Sequence, residues 1–189
     1  MYLVIAEKPS VSRAIARVIG AENREEGFLS GKDCIVSWCL GHLAEYLPPD
    51  GYDKRYESWK YEDLPIIPDE WKLAVSREKK EQFYTLKRLL NSPDVEYVVN
   101  ACDAGREGEL IFRRVYQLSG SRKTVKRLWV SSMEDSAIRA GMEQLKDAEE
   151  YRNLAEAAVC RAKADWLVGM NATRAFTTKY YKKLTVGRV

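Results

Sequence analysis

The sequence predicts an α/β fold, with a mainly parallel sheet flanked by helices and followed by an α-helical segment. Three observations carry this. Short continuous apolar runs, YLVIA at 2–6 and VEYVVNAC at 95–102, have the character of strands buried on both faces. Segments of helical periodicity alternate with such runs, which favours a sheet covered on both sides. From Glu149 onward apolar residues recur every fourth position with no strand between them.

After the first strand, Pro9 ends the extended run. Ser10 is placed to cap a helix whose apolar positions Val11, Ile15, Val18 and Ile19 run to Gly20. Residues 33–40 (DCIVSWCL) read as a second strand, followed by GHLAEYLPP. The stretch 48–71 combines prolines (Pro48, Pro49, Pro65, Pro68) with Tyr52, Tyr56, Trp59, Tyr61 and Trp71. So aromatic a stretch is expected to be ordered and irregular, packed against the sheet, rather than a flexible linker. An amphipathic helix is expected over 77–90, turning Phe83, Leu86, Leu89 and Leu90 inward. The 95–102 strand leads directly to Asp103 and to a helix with Leu110, Ile111, Val115 and Leu118 on its buried stripe. VKRLWV (125–130) gives a further strand, and Ser132 with Asp135 has the spacing of a capping box for a helix to about Leu145. Leu154, Ala158, Ala162, Trp166 and Met170 then mark one long helix with Trp166 and Met170 in its core, so the domains are placed at 1–147 and 148–189.

Hydrophobic residues at 46% and charged residues at 31% describe a globular chain rather than a disordered one. No apolar run approaches the roughly 20 residues of a membrane span, and MYLVIAEKPS lacks a signal-peptide pattern, which together point to a cytoplasmic location. Cys34, Cys39, Cys102 and Cys160 form no CxxC pair, and His42 is the only histidine. A zinc site is therefore rejected and the thiols are expected to be reduced and mostly buried. The net charge is +3, but Trp166–Val189 holds five basic residues and no acid. Positive charge is thus concentrated at the C-terminal end. Arg122, Lys123, Lys126 and Arg127 form a second basic cluster, expected on the surface.

In an open parallel sheet, functional groups gather beyond the carboxyl ends of the strands. Glu7 and Asp103 both follow strands directly, and DAGREGE adds Glu107 about one turn later. Carboxylates brought together this way repel one another and call for a cation. A few hard oxygen ligands that leave room for water and phosphate suit Mg²⁺. The competing explanation is that Asp103 caps a helix whose first-turn acids complement its dipole. The G-x-x-x-x-G-K-[ST] pattern is absent, so no ATP-binding loop and no nucleotide cofactor are expected. His42 reads as a hydrogen-bonded loop residue near the same edge.

Four segments together resemble the N-terminal part of a type IA DNA topoisomerase of the bacterial topoisomerase III branch: LVIAEKPSVSRAIA, GHLAEY at 41–46, DAGREGELI at 103–111, and RAKADWLVGMNATRAFT at 161–177. The resemblance implies a toprim domain, a Rossmann-like sheet holding Mg²⁺. The start of a helical domain that binds single-stranded DNA would follow. It implies that Glu7 takes part in proton transfer beside the scissile phosphate and that Lys8 contacts that phosphate. Asp103 and Glu107 would bind the metal, with Glu7 as a further ligand, and Arg161, Asp165, Arg174 and Arg188 would fall in segments lining the DNA path. A bacterial, nucleoid-associated protein would follow from the same resemblance.

The family's usual D-x-D-x-E triad is altered, with Gly105 in the middle position, which puts a second metal ion in doubt. The nucleophilic tyrosine of such enzymes lies in a later domain. Tyr180 and Tyr181 match no motif and read as core or DNA-flanking aromatics, so the chain is expected to be inactive without the remainder of the topoisomerase chain. A toprim nuclease or primase, or a non-catalytic single-strand-binding module, are the alternatives.

Overall fold

A computed structural model of the protein describes residues 1–187. The described chain divides into two compact units, Met1–Glu45 with Val75–Glu156, and Tyr46–Ala74 with the chain from Ala157 onward. The division after Glu156 lies nine residues beyond the boundary expected from sequence and draws residues 46–74 into the second unit.

The first unit is built on a seven-stranded sheet. Its strands are β1 (Tyr2–Ala6), β2 (Asn23–Glu25), β3 (Phe28–Ser30), β4 (Cys34–Trp38), β7 (Tyr97–Ala101), β8 (Thr124–Arg127) and β9 (Lys146–Asp147), in the spatial order β2-β3-β4-β1-β7-β8-β9. β5 (Ala44–Tyr46) and β6 (Leu73–Val75) pair as a separate two-stranded ribbon. Parallel pairings join β4, β1, β7 and β8. Antiparallel pairings add β3 and β2 at one margin and β9 at the other. The sheet is therefore parallel at its centre and mixed at its edges. The β2–β3 hairpin has no counterpart in the expected elements, because its strands are three residues long and one of them, NRE, is fully exposed.

β1 shows why its apolar run is continuous. Leu3 and Ile5 enter one core with α2 (Lys80–Leu90) and α3 (Arg106–Ser119), through Leu86, Leu90, Ile111 and Val115. Val4 and Ala6 enter the core on the opposite face with α1 (Pro9–Ile19) and α4 (Asp135–Glu143), through Ile15, Ala16 and Ile138. Alternate side chains of one strand thus fill two cores, and no position is free to be polar.

Two expected caps are corrected. α1 begins at Pro9 with Lys8 as its N-cap, so Ser10 lies inside the first turn. Proline supplies the helical φ at N1 without needing a donor there. α4 is capped by Glu134 without a side-chain bond, and Ser132 Oγ instead accepts from the Glu134 N–H at 3.3 Å.

In the second unit, the irregular segment packs on the long helix α5 (Arg152–Tyr180), a partner that the sequence reading did not assign to it. The half-buried Trp166 donates from Nε1 to the Leu47 carbonyl at 3.1 Å and meets Tyr52 and Trp71 edge-on. Asn171 receives the Ile66 N–H at 2.7 Å and donates to the Ile66 carbonyl at 2.9 Å. Its side-chain amide satisfies main chain that has no strand partner. No helix among the described residues is long and apolar enough to cross a membrane.

Candidate functional site

β1 is paired in parallel with β4 on one side and β7 on the other, so the chain leaves all three strands at the same sheet edge. Glu7 follows β1, Leu40–Leu43 follow β4 and Asp103 follows β7. The condition that brings Glu7 and Asp103 together, parallel neighbouring strands, is met.

Glu7 is 8% exposed and its Oε1 lies 3.3 Å from Lys8 Nζ. The Lys8 ammonium is exposed, and its pKa is raised by the hydrogen bond to Glu7, then by the charges of Glu7 and Asp103. A raised lysine pKa keeps this cation charged throughout the neutral range. Asp103 is exposed in the loop between β7 and α3. The N-cap of α3 is Gly105, which has no side chain to offer, and this removes the capping explanation for Asp103.

The loop carrying Asp103 is held from below by a buried charge network. Arg127 and Glu109, each almost fully buried, pair with Nε and Oε1 2.7 Å apart, an ionic contact without hydrogen-bond alignment. Arg127 Nη1 donates to the carbonyls of Asn100, Cys102 and Leu128 at 3.0, 2.7 and 2.8 Å, and Nη2 donates to that of Asp103 at 2.8 Å. Glu109 also receives Asn100 Nδ2 at 3.1 Å and Arg113 Nε at 3.2 Å. Arg127 is thus no surface charge, as its place in a basic cluster suggested. It is the one member of that cluster turned into the sheet, a difference that the alternation of a strand produces and net charge does not reveal. Beside the loop, a hydrogen bond made by its protonated form with Cys39 and then burial push the Cys102 thiol well up, so it stays protonated. All four cysteines are free, and only Cys160 is exposed.

Gly108 lies where α3 passes closest to this loop, and a Cβ there would fall 2.1 Å from the Asp103 carbonyl oxygen. Gly108→Ala must therefore displace the Asp103 loop or the first turn of α3. Overpacking of this kind costs about 1–3 kcal/mol, and urea denaturation should register that loss. Gly105 is different. Its φ of 166° is ordinary extended backbone and a Cβ would meet nothing within 4 Å, so the place of the missing middle acid is open space.

His42 stands opposite the first turn of α3, where its Nε2 is hydrogen-bonded to Glu107 Oε1. These residues are 65 positions apart, and no local pattern could have paired them. Leu40 and Gly41 both adopt left-handed backbone, with φ of 53° and 69°. For Leu40 this is a strain on the order of 1–3 kcal/mol, of the sort that persists where surrounding structure enforces it. Gly41 N–H donates to the Glu7 carbonyl at 3.0 Å and Lys79 Nζ to the His42 carbonyl at 2.9 Å, which fixes this turn against β1.

As donors for a metal, the edge offers hard oxygens and no thiolate, since Cys39 and Cys102 are buried. Among the described residues no three acidic, histidine or cysteine side chains stand close enough together to hold a metal ion, so Glu7, Asp103 and Glu107 are not gathered as a three-ligand set. Asp103 and Glu107 are both exposed, and one or two carboxylates are enough for an ion that keeps most of its water.

Of the second-unit residues named from the resemblance, Arg161 is exposed, Asp165 half-buried and Arg174 buried. Arg161 and Asp165 face each other one turn apart on α5 at 4.0 Å. Arg174 is 6% exposed, donates Nη1 to the Tyr56 carbonyl at 2.7 Å and covers the Trp59 ring. Burial lowers its pKa against the opposing charges of Asp50 and Asp63. Its visible work is to hold the aromatic segment on α5. Arg188 lies outside the described residues. Tyr180 and Tyr181 are exposed, 62% and 96%, and so are not core.

A strand-end acid, a second strand with Asp103 at the same edge and a helix opening on Glu107 are features of a toprim site, and the toprim domain model matches residues 2–133. The chain belongs to the toprim domain family. More particularly, it is 49% identical over 187 residues to the DNA topoisomerase 3 of Bacillus subtilis, 49% over 186 to that of Shouchella clausii and 46% over 187 to that of Staphylococcus epidermidis. These alignments cover 98–99% of the chain but 26% of each relative, so the chain spans about a quarter of the length of the relatives it matches. The solved structure of full-length topoisomerase I from Thermotoga maritima aligns with a TM-score of 0.62 at 19% identity, over 90% of this chain and 25% of that one, which shows a shared fold.

Proposed function

We propose that this chain supplies the metal-binding and phosphate-handling half of a type IA topoisomerase, which cleaves and rejoins single DNA strands with Mg²⁺ and without ATP. The observation that supports the reading is that Glu7 with Lys8, and Asp103 ahead of the helix that opens on Glu107, follow neighbouring parallel strands at the same sheet edge. The similarity to DNA topoisomerase 3 along nearly the whole chain supports it.

Asp103 and Glu107 would hold the metal, with Glu7 as a further ligand. When bound, Mg²⁺ offsets negative charge at the phosphate and orients it. Lys8 supplies a permanent cation for a non-bridging phosphate oxygen. Glu7 is mostly buried, and its carboxylate is placed to accept or return the proton that strand transfer moves at the scissile phosphate. The nucleophilic tyrosine lies in the remainder of the topoisomerase chain, and the protein acts in the bacterial cytoplasm on nucleoid DNA.

The test is relaxation of negatively supercoiled plasmid by a full-length topoisomerase carrying this chain. Relaxation is expected with Mg²⁺ alone, to cease with EDTA and to return on adding excess Mg²⁺. Undiminished relaxation in EDTA, or a requirement for ATP, would overturn the reading. Mg²⁺-dependent DNA cutting by these 189 residues alone would favour a toprim nuclease instead.

A further inference from the structure

We propose that His42 is a positioning residue for Glu107, fixing the carboxylate through one oxygen so that the other is presented to the metal. The inference rests on the metal-binding reading of Glu107 given above. His42 Nε2 is hydrogen-bonded to Glu107 Oε1. An ionised carboxylate only accepts, so Nε2 carries the proton and Oε2 keeps its lone pairs. His42 Nδ1 is buried with no hydrogen-bond partner. The bond to Glu107 is therefore the ring's only hydrogen bond among the described residues.

The backbone holding His42 shows the same orientation. Two successive left-handed residues, Leu40 and Gly41, turn the chain sharply after β4. Gly41 N–H donates to the Glu7 carbonyl, and the His42 and Leu43 carbonyls accept from Lys79 Nζ and the Ser76 N–H, so the main chain that carries the ring is held along three residues. Without it, Glu107 would be an exposed glutamate in the first turn of a helix, with its side-chain rotamers unrestrained. Ordering that side chain in advance removes an entropic cost that metal binding would otherwise carry.

The test measures Mn²⁺, a hard-oxygen ion visible by electron paramagnetic resonance, titrated into the 189-residue protein. His42→Ala is expected to weaken binding about 10-fold or more, while His42→Gln, whose amide can still donate near the Nε2 position, stays within about threefold of wild type. His42→Phe keeps the ring without a donor and should behave as alanine does, and it decides the matter if the alanine variant does not fold. Glu107→Gln and Asp103→Asn are measured alongside. If these weaken binding while His42→Phe leaves it unchanged or tightens it, the positioning role is overturned and the metal site stands. If neither carboxylate variant alters binding, the metal reading fails and the role of His42 fails with it.

Discussion

Glu7→Gln, introduced into a full-length topoisomerase that carries this chain, is expected to lower the rate of DNA relaxation about 10²–10⁴-fold, the usual contribution of a positioned acid–base group. The substitution keeps the shape of the side chain and removes only its charge and its ability to exchange a proton. Glu7 sits at the end of the central strand, with its carbonyl engaged by Gly41 and its carboxylate by Lys8, so the fold should survive. A thermal melt close to wild type, together with the lost rate, would place the effect in the chemistry. Asp103→Asn should lose activity comparably, but mainly through metal binding, so excess Mg²⁺ should recover a larger part of its rate than of that lost in Glu7→Gln. Full relaxation by either variant would remove that residue from the site.

The second large effect is on stability. Arg127→Met is expected to cost about 3–5 kcal/mol, because removing one partner of a buried pair leaves the other charge uncompensated. Glu109 would keep Arg113 and Asn100, but the carbonyls of Asn100, Cys102, Asp103 and Leu128 would lose a shared donor inside the sheet. Arg127→Lys should recover only part, since one ammonium cannot reach four carbonyls and a carboxylate. Urea denaturation followed by far-ultraviolet circular dichroism measures this. A loss under about 1 kcal/mol would mean the pair contributes little beyond an exposed one. Because Arg127 Nη2 donates to the Asp103 carbonyl, the same variant should also disturb the metal loop.

How much of this could be read from sequence depended on whether the signal was local. YLVIA and its following Glu7 were legible because a strand buried on two faces leaves a continuous apolar run. Asp103 and Glu107 were legible because they sit one turn apart at a strand-to-helix junction. The amphipathic helices were found for the same reason, although the residues from Arg77 to Lys79 form a tighter 3₁₀ turn before α2 begins. Arg127 is misread from sequence because it stands in a run of cations, and only its side of the strand distinguishes it. The aromatic segment at 48–71 reads as ordered from its composition, yet its partner is α5, and the hydrogen bonds that join the two span 105 and 118 positions. Trp166 and Asn171 are the residues that accept it, and nothing local announces that. The His42–Glu107 contact was invisible for the same reason, and a single histidine gives no hint of its partner.

The central claim is that this chain holds the metal and proton-transfer half of a strand-cleaving site whose nucleophile lies elsewhere. The most direct measurement mixes a labelled single-stranded oligonucleotide with Mg²⁺ and either the full-length topoisomerase or these 189 residues alone, then denatures and looks for DNA covalently attached to protein. The account predicts an adduct with the full-length protein, carried on a tyrosine outside residues 1–189, and none with the chain alone. An adduct on Tyr180 or Tyr181, or cleavage by the chain by itself, would contradict it.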